Sequence, residues 1–135
     1  MYSTALAEIV LVVKNLKTST DFYRKVVGLK LRPEGTNPKW SWFYAGEPSA
    51  GQSLALTTHR PLLFEEKSPL PPDRRWGPIH YALNVPRQNL DRAVQNVRSH
   101  KVEVYGPVEF DWMHAAAYYF YDPDGNLVEF WSPDE

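Results

Sequence analysis

Cysteine is absent from this 135-residue chain, so disulfides, a thiolate nucleophile and a cysteine-ligated zinc site are all excluded. An excess of either charge is also missing. Fifteen Lys and Arg stand against sixteen Asp and Glu, a formal net charge of −1. A phosphate backbone or an anionic membrane calls for a basic surface that this balance does not supply. Long hydrophobic runs are lacking as well. The first apolar stretch, Leu6–Val13, is interrupted by Glu8 and follows no basic segment, which suits neither a signal peptide nor a membrane span. A soluble, cytoplasmic protein without a nucleic-acid or membrane partner is the expectation.

What is present is 43% hydrophobic residues, enough for a core, and a 14% aromatic fraction, high enough for rings to line a cavity as well. One domain spanning residues 1–135 is the natural reading of the length. Three strand-like segments each carry one ionisable residue among apolar neighbours: Glu8 in Ala7–Val13, His80 in Ile79–Val85 and Glu129 in Asn126–Trp131. A carboxylate in an apolar strand is costly unless something neutralises it. Two carboxylates and an imidazole brought together would be neutralised by a shared divalent metal.

The order of segments suggests a duplicated plan. Leu6–Val13 is β-branched and strand-like, and Lys17–Thr20 offers capping side chains to a helix whose face runs through Leu16, Thr20, Tyr23 and Val27 to a stop at Gly28. Short strands are expected at Leu29–Arg32, Trp40–Tyr44 and Ser53–Thr58. Arg60–Gly77 holds four prolines and reads as a connector. Then the plan returns: a strand at Ile79–Val85, a helical stripe of Leu90, Ala93, Val94 and Val97, and strands at Val102–Tyr105, Ala115–Tyr121 and Asn126–Trp131. Asp122-Pro123-Asp124-Gly125 is a strong turn signal before the last strand. Overlaying the opening strands sets Glu8 on His80, 72 positions apart, and overlaying the closing strands sets Ala55 on Glu129, 74 apart.

Val13-Lys14-Asn15-Leu16, Asp21–Leu29, Gly77–Ala82 and Tyr119–Phe130 together resemble the vicinal oxygen chelate superfamily. That superfamily includes glyoxalase I, fosfomycin-resistance proteins, extradiol dioxygenases and bleomycin-resistance proteins. The resemblance implies an α+β fold of two βαβββ modules that form a cupped, barrel-like mixed sheet with helices outside. Module one would span about 4–60, the connector about 61–77 and module two about 78–133, and two chains would pair as a homodimer. It also implies a metal held by Glu8, His80 and Glu129. His80 and Glu129 fall on usual ligand positions, whereas Glu8 stands where His or Gln is typical and Ala55 where four-ligand members carry a donor. An oxygen-rich set favours Mn²⁺, Fe²⁺, Co²⁺ or Mg²⁺ over Zn²⁺.

The expected activity is glyoxalase-like lyase or isomerase chemistry on a small oxygenated substrate chelated to the metal. Glu8 and Glu129 would be the catalytic carboxylates that move the proton. An extradiol-type dioxygenase is one alternative, although two histidines and one carboxylate would suit it better. A metal-free ligand-sequestering protein, like the bleomycin-resistance branch, is the other. Candidate substrate contacts are Trp40 and Trp42 on one strand face, His59, His114 and Tyr119. Trp76 and Trp112 are further pocket candidates, and His100 reads as a helix-terminal residue.

Overall fold

The structure, a computed structural model, describes residues 6–58, 79–111 and 114–134. The expectations for the connector, His59, Trp76 and Trp112 lie outside the described residues. The fold divides into two compact units, each carrying four strands among the described residues.

Unit one runs β1 (Glu8–Val12), α1 (Leu16–Asp21) continuing into a π turn (Phe22–Val26) whose last residues, Lys25 and Val26, group with unit two, then β2 (Leu31–Asn37), β3 (Trp40–Tyr44), a 3-10 turn (Pro48–Ala50) and β4 (Ser53–Thr57). Its sheet has the order β1-β4-β3-β2, with β1 and β4 parallel and the other pairs antiparallel. Unit two runs β5 (His80–Asn84), α2 (Arg87–Ser99), β6 (Tyr105–Phe110), β7 (Ala115–Tyr121) and β8 (Leu127–Pro133). Its order is β5-β8-β7-β6, with β5 and β8 parallel. The α+β class and the twofold βαβββ plan are therefore as the sequence implies.

One face of each sheet is closed by its helix. In unit one Leu11, Phe43, Leu54 and Leu56 are buried where α1 packs on β3 and β4. The Thr20 and Ser41 hydroxyls meet there at 2.7 Å, so neither polar group is buried unpaired. In unit two Phe120, Val128 and Phe130 lie under Leu90, Val94 and Val97 of α2. Phe120 and Phe130 meet edge to face at 4.9 Å, a favoured aromatic arrangement. Burying each large side chain contributes about 1.5–3 kcal/mol. These faces hold the sheets in register, and the opposite faces, where Ala55, Thr57 and Glu129 are themselves buried, carry the candidate chemistry.

Three local expectations are corrected. The first helix is capped by Asn15, whose side chain accepts from the Thr18 N–H at 2.9 Å, and not by the Lys17–Thr20 hydroxyls. The strand expected to end at Arg32 continues to Asn37, because a bulge absorbs Pro33 and Gly35 between its two paired ends. The strand expected at Val102–Tyr105 instead spans Tyr105–Phe110. A register shift between Tyr105 and Val108 accommodates Gly106 and Pro107, which period-two reasoning treats as breakers. The turn at Asp122–Gly125 forms as expected, with Gly125 at φ +82°.

Candidate functional site

Strand register decides which side chains share a face, because residues paired across neighbouring strands point the same way. In unit two, Ala82 of β5 pairs with Glu129 of β8, and Glu129 pairs with Tyr119 of β7. Tyr119 in turn pairs with Tyr105 of β6. His80 lies two residues before Ala82 and so shares this face, which is the one away from α2.

The result is a compact cluster. His80 Nε2 lies 3.3 Å from Glu129 Oε2, with the carboxylate buried and the imidazole half exposed above it. His80 Nδ1 lies 3.2 Å from the Leu127 carbonyl. A carbonyl oxygen only accepts, so Nδ1 carries the hydrogen and Nε2 faces the carboxylate. A bare Nε2 lone pair opposite a carboxylate is repulsive, and the pair is satisfied by a proton or a cation between them. This is also the usual dress of a metal-binding histidine, with one nitrogen tied to a backbone carbonyl and the other turned to the metal. His80 and Glu129 therefore fit two positions of a divalent metal site.

Tyr119 completes the cluster, its ring centroid 6.1 Å from that of His80. Burial, a hydrogen bond to the Glu129 carboxylate and the charge of that carboxylate together raise the phenol above the ordinary tyrosine value. Tyr119 is therefore a neutral donor at neutral pH, aimed at Glu129. Beneath the cluster, Asp122 accepts from the backbone N–H groups of Asp124 and Asn126 and from the Asn126 amide, all at 2.8–2.9 Å. The Asn126 side-chain oxygen then accepts from the Ile79 N–H at 3.0 Å. This clasp fixes the starts of β5 and β8 where His80 and Leu127 sit. The sequence reading took Asp122–Asn126 for a turn alone and missed the clasp, whose signal is an Asp and an Asn four apart around Gly125.

The equivalent row of unit one is Val10, Ala55, Trp42 and Arg32. Glu8 precedes Val10 as His80 precedes Ala82, so the overlay of Glu8 on His80 and Ala55 on Glu129 agrees with the register. Glu8 is exposed on β1, however, and the burial cost attributed to it belongs to Glu129 alone. The described residues contain no group of three or more His, Cys, Asp and Glu side chains placed to hold a metal. Trp40 and Trp42 do share a face and stack, with centroids 6.0 Å apart and planes at 19°.

Of the remaining candidates, His114 is exposed in the turn before β7 with φ +49°. It lies five residues from Tyr119, about 16 Å along a strand, and so stands apart from the cluster. His59 is outside the described residues. His100 caps α2, and its Nδ1 donates to the Asn96 carbonyl at 2.8 Å. Sequence reasoning missed a groove of about 370 Å³ in unit one, lined by Arg32, Glu34, Gly35 and Trp42. Its signal was Pro33 and Gly35 inside a strand, which mark a bulge.

Among known proteins, the family model described as Glyoxalase/Bleomycin resistance protein/Dioxygenase superfamily matches residues 5–130. No curated protein sequence matches the chain. A glyoxalase/dioxygenase from Nostoc punctiforme is 26% identical with a TM-score of 0.71, over 97% of this chain and 92% of that one. A lactoylglutathione lyase from Agrobacterium tumefaciens is similar in fold at 21% identity, TM-score 0.76, covering 98% of this chain and 96% of that one. An antibiotic-binding protein from a Streptomyces species is similar at 21% identity, TM-score 0.69, covering 99% of each chain. Among the described residues no helix is long and apolar enough to cross a membrane.

Proposed function

The chain belongs to the glyoxalase/bleomycin resistance protein/dioxygenase superfamily, and on that premise we propose a metal-dependent enzyme of the lyase or isomerase type acting on a small oxygenated substrate. The observation that supports this reading most is the His80–Glu129 pair, 3.3 Å apart with the outer imidazole nitrogen tied to a carbonyl. His80 through Nε2 and Glu129 through its carboxylate are two ligands. Glu8, exposed on β1 at the position that matches His80 on β5, is the third donor that the family resemblance implies, and no group of three donors forms among the described residues. The metal is Mn²⁺, Fe²⁺, Co²⁺ or Mg²⁺, since one nitrogen and two carboxylates form a hard, oxygen-rich set.

A bound divalent ion would act as a Lewis acid on adjacent substrate oxygens. The chain's own residues handle the proton. Glu129 or Glu8 is the base, because lyase and isomerase chemistry needs a carboxylate within reach of the transferred proton. Tyr119 donates to Glu129, orients that carboxylate and keeps its own proton at neutral pH. The Asp122–Asn126 clasp holds the histidine strand and the glutamate strand together. The working form is a cytoplasmic homodimer of one-domain chains, in line with the family's habit of pairing modules.

Sequestration of a ligand without metal is the second reading, and the stacked Trp40–Trp42 pair beside the groove favours it. One screen separates the readings. Metal-loaded protein is offered α-oxoaldehyde–thiol adducts, and catechols with Fe²⁺ under oxygen. Turnover of the adducts that is lost in Glu129→Ala supports the lyase reading. Oxygen uptake with catechol, lost in the same variant, replaces it with ring cleavage. No turnover, together with tight binding of an aromatic ligand, replaces it with sequestration.

A further inference from the structure

We propose that the rings of Tyr105 and Tyr121, with the Glu103 carboxylate beside them, bind a substituted ammonium group, so that the substrate of unit two carries an organic cation at its end away from Glu129. The link to the substrate rests on the proposed active site, whereas the cation site itself needs no metal.

Strand register places the two rings. Tyr105 of β6 pairs with Tyr119 of β7, and Tyr119 with Glu129 of β8, so these three side chains leave the sheet on the face away from α2. Tyr121 lies two residues beyond Tyr119 on the same face. Neighbouring strands are about 4.8 Å apart, which puts Tyr105 about 10 Å across the sheet from Glu129. Tyr119 leans inwards, with its ring centroid 6.1 Å from that of His80 and its phenol on Glu129. Tyr105 turns instead to Tyr121, with centroids 6.3 Å apart and planes at 77°. Gly106 holds this arrangement close to β7. A Cβ there would lie 2.8 Å from the Ala117 carbonyl, so only glycine lets the backbone beside Tyr105 press so near, and the rings are placed before any ligand arrives.

Two rings near a right angle form a corner, and this corner is open. Tyr105 is 47% exposed and Tyr121 53%, whereas every other aromatic side chain among the described residues is buried or half-buried. Strand β6 is the outer strand of its sheet, so a ligand can reach the corner from the edge. Large rings left side by side in water forgo the burial that would stabilise the fold, and a bound ligand recovers it. Charge then decides the ligand's sign. The Tyr105 phenol donates to the Glu103 carboxylate, and that hydrogen bond with the negative charge behind it holds the phenol above its ordinary value. At neutral pH the formal charge at the corner is therefore that of Glu103. An anion would be repelled by it. A substituted ammonium has an apolar shell for the two ring faces and a positive charge for the rings and the carboxylate. A primary ammonium is more strongly hydrated and gains less from the same rings.

The test is proton magnetic resonance titration of the full chain, treated with chelator, using choline and its neutral carbon isostere, dimethylbutanol. Choline is expected to bind about tenfold more tightly, because the two share a shape and differ in charge. Its N-methyl resonance should move upfield under the ring currents of the two tyrosines. Tyr105→Leu and Tyr121→Leu should each weaken choline by about three- to tenfold. Glu103→Gln should weaken it by about two- to fivefold and leave the alcohol unchanged, since it removes an exposed opposite charge. Equal affinity for choline and the alcohol, or no saturable binding of choline by the unmodified chain, overturns the proposal without any variant having to fold. Choline binding that survives both tyrosine substitutions also overturns it, because the cation would then sit elsewhere. No metal is present in the titration, so its result is independent of Mn²⁺ uptake, which tests the proposed active site separately.

Discussion

At the row where each sheet is widest, unit one presents Val10, Ala55, Trp42 and Arg32, and unit two presents Ala82, Glu129, Tyr119 and Tyr105. The offsets between equivalent positions are 72, 74, 77 and 73 residues, so loops and bulges differ in length while the strands meet in the same register. The faces under the helices explain this. Phe43 and Phe120 are equivalent, both fully buried, and a slip of one residue would turn either to the open face. The units diverge on the faces away from the helices, although Ala55 and Glu129 are buried there too. Unit two has a buried carboxylate with a histidine and a phenol on it, whereas unit one has an alanine beneath a tryptophan, with an arginine at the edge.

If the covered faces are truly equivalent, Phe43→Ala and Phe120→Ala should each cost about 3–5 kcal/mol, read from urea unfolding. A loss in one unit and tolerance in the other would break the equivalence. Ala55→Glu is the next largest effect. It would put a carboxylate in a fully buried position where the neighbours are Trp42 and Glu8 instead of Tyr119 and His80, so about 2–5 kcal/mol should be lost in metal-free buffer. An unchanged urea midpoint would mean that unit one tolerates a charge there as unit two does.

Gly35→Ala probes the feature that unit two lacks. A Cβ at 2.9 Å from the Trp42 ring and a left-handed backbone should together cost about 1–3 kcal/mol and alter the near-ultraviolet dichroism of the indole. The smallest effect concerns Tyr119, which has a tryptophan as its counterpart. Its folded-state pKa lies above the ordinary value of 10, so its protonated form stabilises the fold below that value. The contribution is lost as pH rises through the raised pKa. Titration of tyrosinate absorbance should show late-ionising tyrosines that include Tyr105 beside Glu103, and Tyr119 alone among them should move back towards its ordinary value in Glu129→Gln. If the late titration of Tyr119 survives that substitution, the Glu129 contact is not its cause.

Much of this was legible in the sequence. The β-branched runs, the Leu90–Val94–Val97 stripe and the Asp-Pro-Asp-Gly turn are local signals, and each produced the element expected. Glu129 was legible too, as a carboxylate in an apolar strand, and the pairing of offsets placed it in register with Ala55. The bulges at Pro33–Thr36 and Gly106–Pro107 were not, because proline and glycine read as strand breakers until a partner strand is known to span them. The Leu127 carbonyl that orients His80 has no side-chain signature at all. The Arg32 groove depended on the bulge and was missed with it. Asn15 was passed over as a cap because three hydroxyl residues followed it.

The most direct measurement is uptake of Mn²⁺ by the metal-free chain, followed by loss of the free-ion signal in electron paramagnetic resonance. The account predicts about one Mn²⁺ bound per chain, octahedral and oxygen-rich. At a free concentration near one hundred times its dissociation constant, it should stabilise the fold by about 2.7 kcal/mol. Glu129→Ala should abolish both uptake and stabilisation, while His100→Ala at the end of α2 should leave both intact. No uptake by the unmodified chain, or uptake unaltered in Glu129→Ala, would contradict the assignment of His80 and Glu129 as metal ligands.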